Sequence, residues 1–233
     1  MIANTQQEVP DGIVALADAA APWVNSGTIG VLRGFDQASR ERSVQLRARL
    51  LTDERSPIDI APLSTPRLRE QLSQPDYQDL CLLVDSGGWP TVKAQRLAAL
   101  LGLPLLQRPT ETTPPATVLG LRENEEIIDV ALSDFEIYPS TPEAGQLHVS
   151  LDGQELPVSD TRHLRVRLGD GPTSGQLVCA VADDENSAFS GSVLTVDPAQ
   201  HSFTVLRDGR PVADITRSTR CVALPDRLHV IHP

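Results

Sequence analysis

The segment Asp85-Ser-Gly-Gly-Trp-Pro-Thr-Val-Lys93 gathers residue types that handle phosphate. Gly87 and Gly88 can take backbone angles closed to other residues, so a turn built on them can present N–H groups to an anion. A helix starting just beyond, with Thr91 and Lys93 in its first turn, would add free N–H groups and the positive end of its dipole. Lys93 is the only lysine in the chain, and lysine is a common point-charge binder of phosphate; the alternative is an exposed helix lysine. Asp85 would stand at the C-terminal end of a strand, where open α/β sheets place functional groups. It could hold Mg²⁺ there, or cap the turn through the backbone. The same segment also fits a plain connection between a strand and a helix.

The flanking residues supply that strand and helix. Leu80 to Val84 form a short apolar run, as in a parallel strand covered on both faces. Pro90 suits a first helical position, Val92, Leu97, Ala98, Leu100 and Leu101 recur at helical spacing, and Gly102 gives a C-terminal stop before a strand over 103–106. Upstream, a short helix is predicted over 11–20, a strand over 28–32 and an amphipathic helix over 37–51 with Val44, Leu46, Leu50 and Leu51 apolar. A strand over 57–63 follows, then a helix from Thr65, its cap, with Pro66 first, to Leu72. This alternation predicts an α/β domain over 11–110, a doubly wound parallel sheet with its strand ends on one edge.

Helical periodicity stops at the Pro- and Thr-rich stretch 107–115. Beyond it, strands are predicted over 146–151, 164–168, 177–181, 192–196, 202–206 and 228–231, with turns at Asp152-Gly153, 169–171 and Asp208-Gly209. Short strands between glycine turns predict an antiparallel β-sandwich domain over 116–233.

The chain has 233 residues and a formal net charge of -11, the acidic excess lying almost wholly beyond Thr110. That balance argues against nucleic acid, whose phosphates call for Lys and Arg. Cys81, Cys179 and Cys221 sit apart in apolar stretches and read as small core residues. The five histidines are scattered without ligand spacing, so no metal site is predicted, and 183–187 reads as a solvated acidic loop without the spacing of a calcium loop. No run approaches the roughly 18 apolar residues of a bilayer span, and no basic segment precedes an apolar core, which predicts a cytoplasmic protein without a transmembrane segment.

The order of elements resembles the diacylglycerol kinase and lipid kinase family, itself similar in fold to the NAD kinases. There the third strand ends in Gly-Gly-Asp-Gly-Thr and the helix ends Leu-Leu-Gly before a Leu-Pro-Leu strand. Here Gly87-Gly88-Trp89-Pro90-Thr91 leads to Leu100-Leu-Gly-Leu-Pro-Leu105. The late strands of that family match Val205 to Val212 and Ala223 to Val230 in order. The resemblance implies ATP with Mg²⁺ as cofactor, a cleft between the domains for a nucleotide or phospholipid headgroup, and Gly87, Gly88, Thr91 and Lys93 as its binding residues. Three departures imply impaired catalysis: Trp89-Pro90 replaces the acidic residue of the turn, Arg210 stands in place of the glutamate of a late Asp-Gly-Glu, and Arg33-Gly34 replaces an Asn-Pro. Phosphoryl transfer depends on charge neutralisation around Mg²⁺, so these losses remove working parts. Alternatives are an active phosphotransferase using Asp85 on a lipid or small alcohol, and a non-catalytic module whose acidic sandwich meets a basic protein partner or a second copy. Trp89 could stack on a base or plug the pocket.

Overall fold

A computed structural model describes residues 11–63, 65–111, 113–140, 147–156, 163–169, 175–181, 184–199 and 201–233. The expectations at Gln146, at 170–171 and at Asp183 lie outside the described residues. The chain divides into two compact units, residues 1–114 with 229–233, and residues 115–228.

The first unit runs α1 (Asp11–Ala20), β1 (Thr28–Leu32), α2 (Gln37–Leu50), β2 (Ile58–Ile60), α3 (Thr65–Leu72), β3 (Leu80–Asp85), α4 (Thr91–Leu101) and β4 (Leu105–Leu106). Its parallel sheet has the order β4-β3-β1-β2, and the last strand of the chain, β17 (Val230–Ile231), adds beside β4. The chain leaves β1 to one side for β2 and returns on the other side for β3, so the order reverses between β1 and β3. Open α/β sheets open a crevice at the C-terminal ends of strands at such a switch point. One core layer joins Ile29, Val31, Leu82, Val84 and Leu106 of the sheet to Ile13 and Leu16 of α1 and Leu46 and Leu50 of α2.

Two helices differ from the sequence expectation in ways that bear on the site. The buried face of α2 is Ser39, Ser43, Leu46 and Leu50, while Val44 and Leu51 are each 57 % exposed. The inward positions of its first turns carry hydroxyls because Ser39 hydrogen-bonds to the loops after two strands and Ser43 to Asp59 of β2, and the apolar pair is left outward. Helix α4 begins at Thr91, with Pro90 as an extended N-cap (φ -60°, ψ 126°) and not as the first helical residue. Its inner face uses Ala94, Leu97 and Ala98, and Val92 points to solvent. Gly102 closes it in the left-handed region (φ 67°), its N–H shared between the carbonyls of Ala98 and Ala99.

The second unit contains β5 (Thr117–Glu123), β6 (Glu126–Ala131), β7 (Asp134–Pro139), β8 (His148–Leu151), β9 (Gln154–Glu155), β10 (Leu164–Leu168), β11 (Leu177–Val181), β12 (Asp184–Gly191), β13 (Val193–Asp197), β14 (Phe203–Arg207), β15 (Arg210–Ile215) and β16 (Thr219–Pro225). They form two antiparallel sheets, β12-β11-β10-β7-β14-β15 and β6-β5-β16-β13-β8-β9. Alternate residues of both sheets, Phe135, Ile137, Val166, Phe203 and Val205 against Leu119, Leu121, Val149, Leu194 and Val196, fill one core between them. Cys179 and Cys221 lie in that core, and burial pushes both thiols up to about 12, so neither is a nucleophile at neutral pH.

Two Asp-Gly hairpins brace this sandwich in the same manner. Asp152 (φ 52°) and Asp208 (φ 47°) take the left-handed conformation of tight hairpin turns. The Asp152 carboxylate accepts the N–H groups of Ser192 and Val193, and that of Asp208 accepts those of Leu132, Ser133 and Asp134. Each aspartate thereby pins the start of a strand outside its own hairpin, which satisfies backbone donors otherwise lacking partners.

Two readings of this half are corrected. The strand over 228–231 belongs to the parallel sheet, through β17 and β4, and not to the sandwich. Residues 184–187 fall within β12, where Asp184 pairs with Val181 across a register shift, and not in a loop. Strands β5, β6 and β7 are additions to the expected set, and in β5 the run Thr117 to Leu121 is buried throughout, without the alternation that marks a half-exposed strand.

Candidate functional site

The switch point is where the turn after β3 meets the turn after β1. Ser86 docks on the end of β1 twice, its N–H and its Oγ both donating to the carbonyl of Leu32 at 3.1 and 2.7 Å. Ser39, in the first turn of α2, joins the two turns: its Oγ accepts the Gly34 N–H and donates to the Gly87 carbonyl. Asp36 caps α2 by accepting the Ser39 N–H at 2.8 Å, and the Nε of Arg42 donates to the Ser86 carbonyl at 2.8 Å. The carbonyls of Ser86 and Gly87 are thus bound to α2.

Glycine is required here by space as well as by angle. Gly87 and Gly88 have φ of 90° and 102°, and a Cβ on Gly88 would lie 2.6 Å from the Ser39 Oγ and 2.8 Å from its Cβ. On Gly34 it would lie 2.8 Å from the Gly88 carbonyl oxygen, so two backbones approach each other where neither tolerates a side chain.

Trp89 fills the position next to this contact. It is buried, and its Nε1–H donates to the Arg33 carbonyl at 2.7 Å. Arg33 in turn binds Asp59 in the middle of β2, and Asp59 accepts the Ser43 hydroxyl at 2.6 Å. The indole, which the sequence offers as a base-stacking surface or a plug, packs against the end of β1.

The predicted site residues fall on two sides of the turn. Asp85 caps it, Oδ1 accepting the Gly87 N–H at 2.8 Å. Thr91 is half-buried and Lys93 is exposed, both in the first turn of α4. In that turn the N–H groups of Lys93 and Ala94 go to the Pro90 carbonyl, and no side chain caps the helix. Thr91 and Val92 therefore hold the N-terminal N–H groups that a helix leaves without an intrahelical acceptor. The sequence reading missed Asp36, Ser39 and Arg42. An Asp-x-x-Ser pair directly before an Arg-rich helix is a capping pattern, and it was the available signal for the first two.

The carboxylates at the turn are partly committed to the backbone. Asp85 and Asp36 each commit Oδ1 to a backbone N–H, and the described residues contain no cluster of three or more His, Cys, Asp or Glu that could hold a metal. Burial also pushes the Asp85 carboxyl above the usual carboxylate range, against the pull of the Gly87 N–H and of the Arg108 and Arg42 guanidinium groups.

That raised value makes a stability prediction. A group whose pKa is higher in the folded state favours folding below its unfolded value, near pH 4, and this contribution is lost as pH rises through the folded value. Asp85→Asn keeps an oxygen for Gly87 and removes the ionisation. The variant is expected to match the parent at low pH and to be more stable at pH 7, as read by denaturant titrations across that range. A variant less stable at pH 7 would contradict the assigned cause.

No family model matches the chain, and no curated protein matches it. Among solved structures, yeast NADH kinase complexed with NADH matches with a TM-score of 0.48 and 13% identity, over 90% of this chain and 84% of that one. An NAD kinase from Archaeoglobus fulgidus in complex with ATP matches with a TM-score of 0.44 and 12% identity, over 84% of this chain and 90% of that one. Among the described residues no helix is long and apolar enough to cross a membrane.

Proposed function

We propose that this is a kinase-like protein that binds a phosphate-bearing ligand, a nucleotide or a phospholipid headgroup, at the switch point of its α/β unit without transferring the phosphoryl group. The observation that carries the reading is the uncapped start of α4 directly after the Gly87-Gly88 turn. Its Thr91 and Val92 N–H groups, with Lys93 exposed beside them, are the parts an anion would use. The loss of transfer is supported by the commitments around them. Asp85 is spent on the turn, and Trp89-Pro90 stands where the resembling family keeps its acidic residue. Asp208, of the Asp-Gly where that family has its late glutamate, is spent on bracing β7.

Calorimetry tests both halves. ATP, with and without Mg²⁺, glycerol 3-phosphate and inorganic phosphate are titrated into the full chain, and ATP turnover on diacylglycerol is followed in parallel. Binding of at least one phosphate compound without turnover is expected, with little dependence on Mg²⁺. Failure of all three to bind would sink the proposal, and turnover abolished by Asp85→Ala would replace it with an active phosphotransferase.

A further inference from the structure

The α/β unit has a groove away from the glycine turn, where α1 and α2 end. Its volume is about 430 Å³, within the roughly 300–1,000 Å³ of small-molecule sites. Ala17, Val24 and Leu50 give it an apolar floor, and Asp18, Asn25 and Arg49 stand at its rim. Asp18 and Arg49 are both exposed, and among the described residues neither is held in an ion pair. Helix α2 ends here with Leu51 already extended, so the carbonyls of its last turn add partial negative charge.

A groove that carries one anion and one cation, unpaired with each other, above an apolar floor matches a ligand that brings the opposite pair. We propose that this groove binds a zwitterion of the amino-acid class. The ligand ammonium meets Asp18 and the carbonyl end of α2, the carboxylate meets Arg49, and an aliphatic side chain lies on Ala17, Val24 and Leu50. The site is independent of the phosphate reading, and either can fail alone.

The probes are L-leucine, N-acetyl-L-leucine, which lacks the ammonium, and L-leucinamide, which lacks the carboxylate, each titrated into the full chain and followed by amide chemical shifts. L-leucine is expected to bind saturably and to move the resonances of Asp18, Asn25 and Arg49. Each blocked compound should bind more weakly, by up to about fivefold, the scale of one exposed charge pair. Asp18→Asn and Arg49→Gln should each weaken L-leucine by up to about fivefold while the free protein keeps its native amide spectrum away from the groove, since both side chains are exposed. The proposal is overturned by no saturable response to L-leucine at its solubility limit, by equal binding of the three compounds, or by shifts confined to residues outside the groove.

Discussion

Trp89→Ala is expected to cost about 3–5 kcal/mol in urea denaturation, the range for emptying a large aromatic site. The indole is buried and is the partner of the Arg33 carbonyl, so the substitution leaves a void and an unpaired acceptor at the meeting of two turns. Trp89→Phe keeps most of the volume and removes only the donor, and about 1 kcal/mol is expected for it. A loss under about 1 kcal/mol for the alanine variant would mean that the ring packs against little, and would return Trp89 to the role of a ligand-stacking surface.

The second large effect is expected at Ser39, a residue that composition would never single out. Its hydroxyl satisfies the Gly34 N–H and the Gly87 carbonyl together, and the residue is fully buried. Ser39→Ala leaves both groups unpaired in a site too tight for a replacement, and about 2–4 kcal/mol is expected, since each orphaned buried group costs about 1–3 kcal/mol. Ser43→Ala is the control one turn on. Its partner Asp59 is also held by Arg33, so a smaller loss, about 1 kcal/mol, is expected from the same denaturation curves. Equal costs would show that the two turns do not depend on Ser39 for their contact.

The α/β order and the sandwich were legible because local patterns agree with the fold at most elements. Leu80 to Val84 is apolar throughout because neighbouring strands and helices cover it, and Gly102 follows α4 because its left-handed cap needs it. The misreadings share a cause, which is dependence on partners distant in sequence. Val230 and Ile231 carry the pattern of any short strand, and only pairing with Leu105 and Leu106 assigns them to the parallel sheet. Val44 and Leu51 looked like core by hydrophobicity, yet the hydrogen-bonding needs of Gly87 and Asp59 turned the serines inward instead. At the site itself, Asp85, Gly87 and Gly88 were visible as a turn. What the turn does with its carbonyls was not, because its partners, Ser39 and Arg42, lie more than forty residues away.

The central claim, that the start of α4 takes an anion while Trp89 stays in place, is tested most directly by titrating ATP into ¹⁵N-labelled protein. Saturable shifts are expected at the amides of Gly88, Thr91 and Val92, with the Trp89 indole N–H resonance unmoved because its bond to the Arg33 carbonyl persists. Amides of this turn that stay fixed while ATP reaches millimolar concentration, or an indole resonance that moves with the nucleotide, would contradict the account.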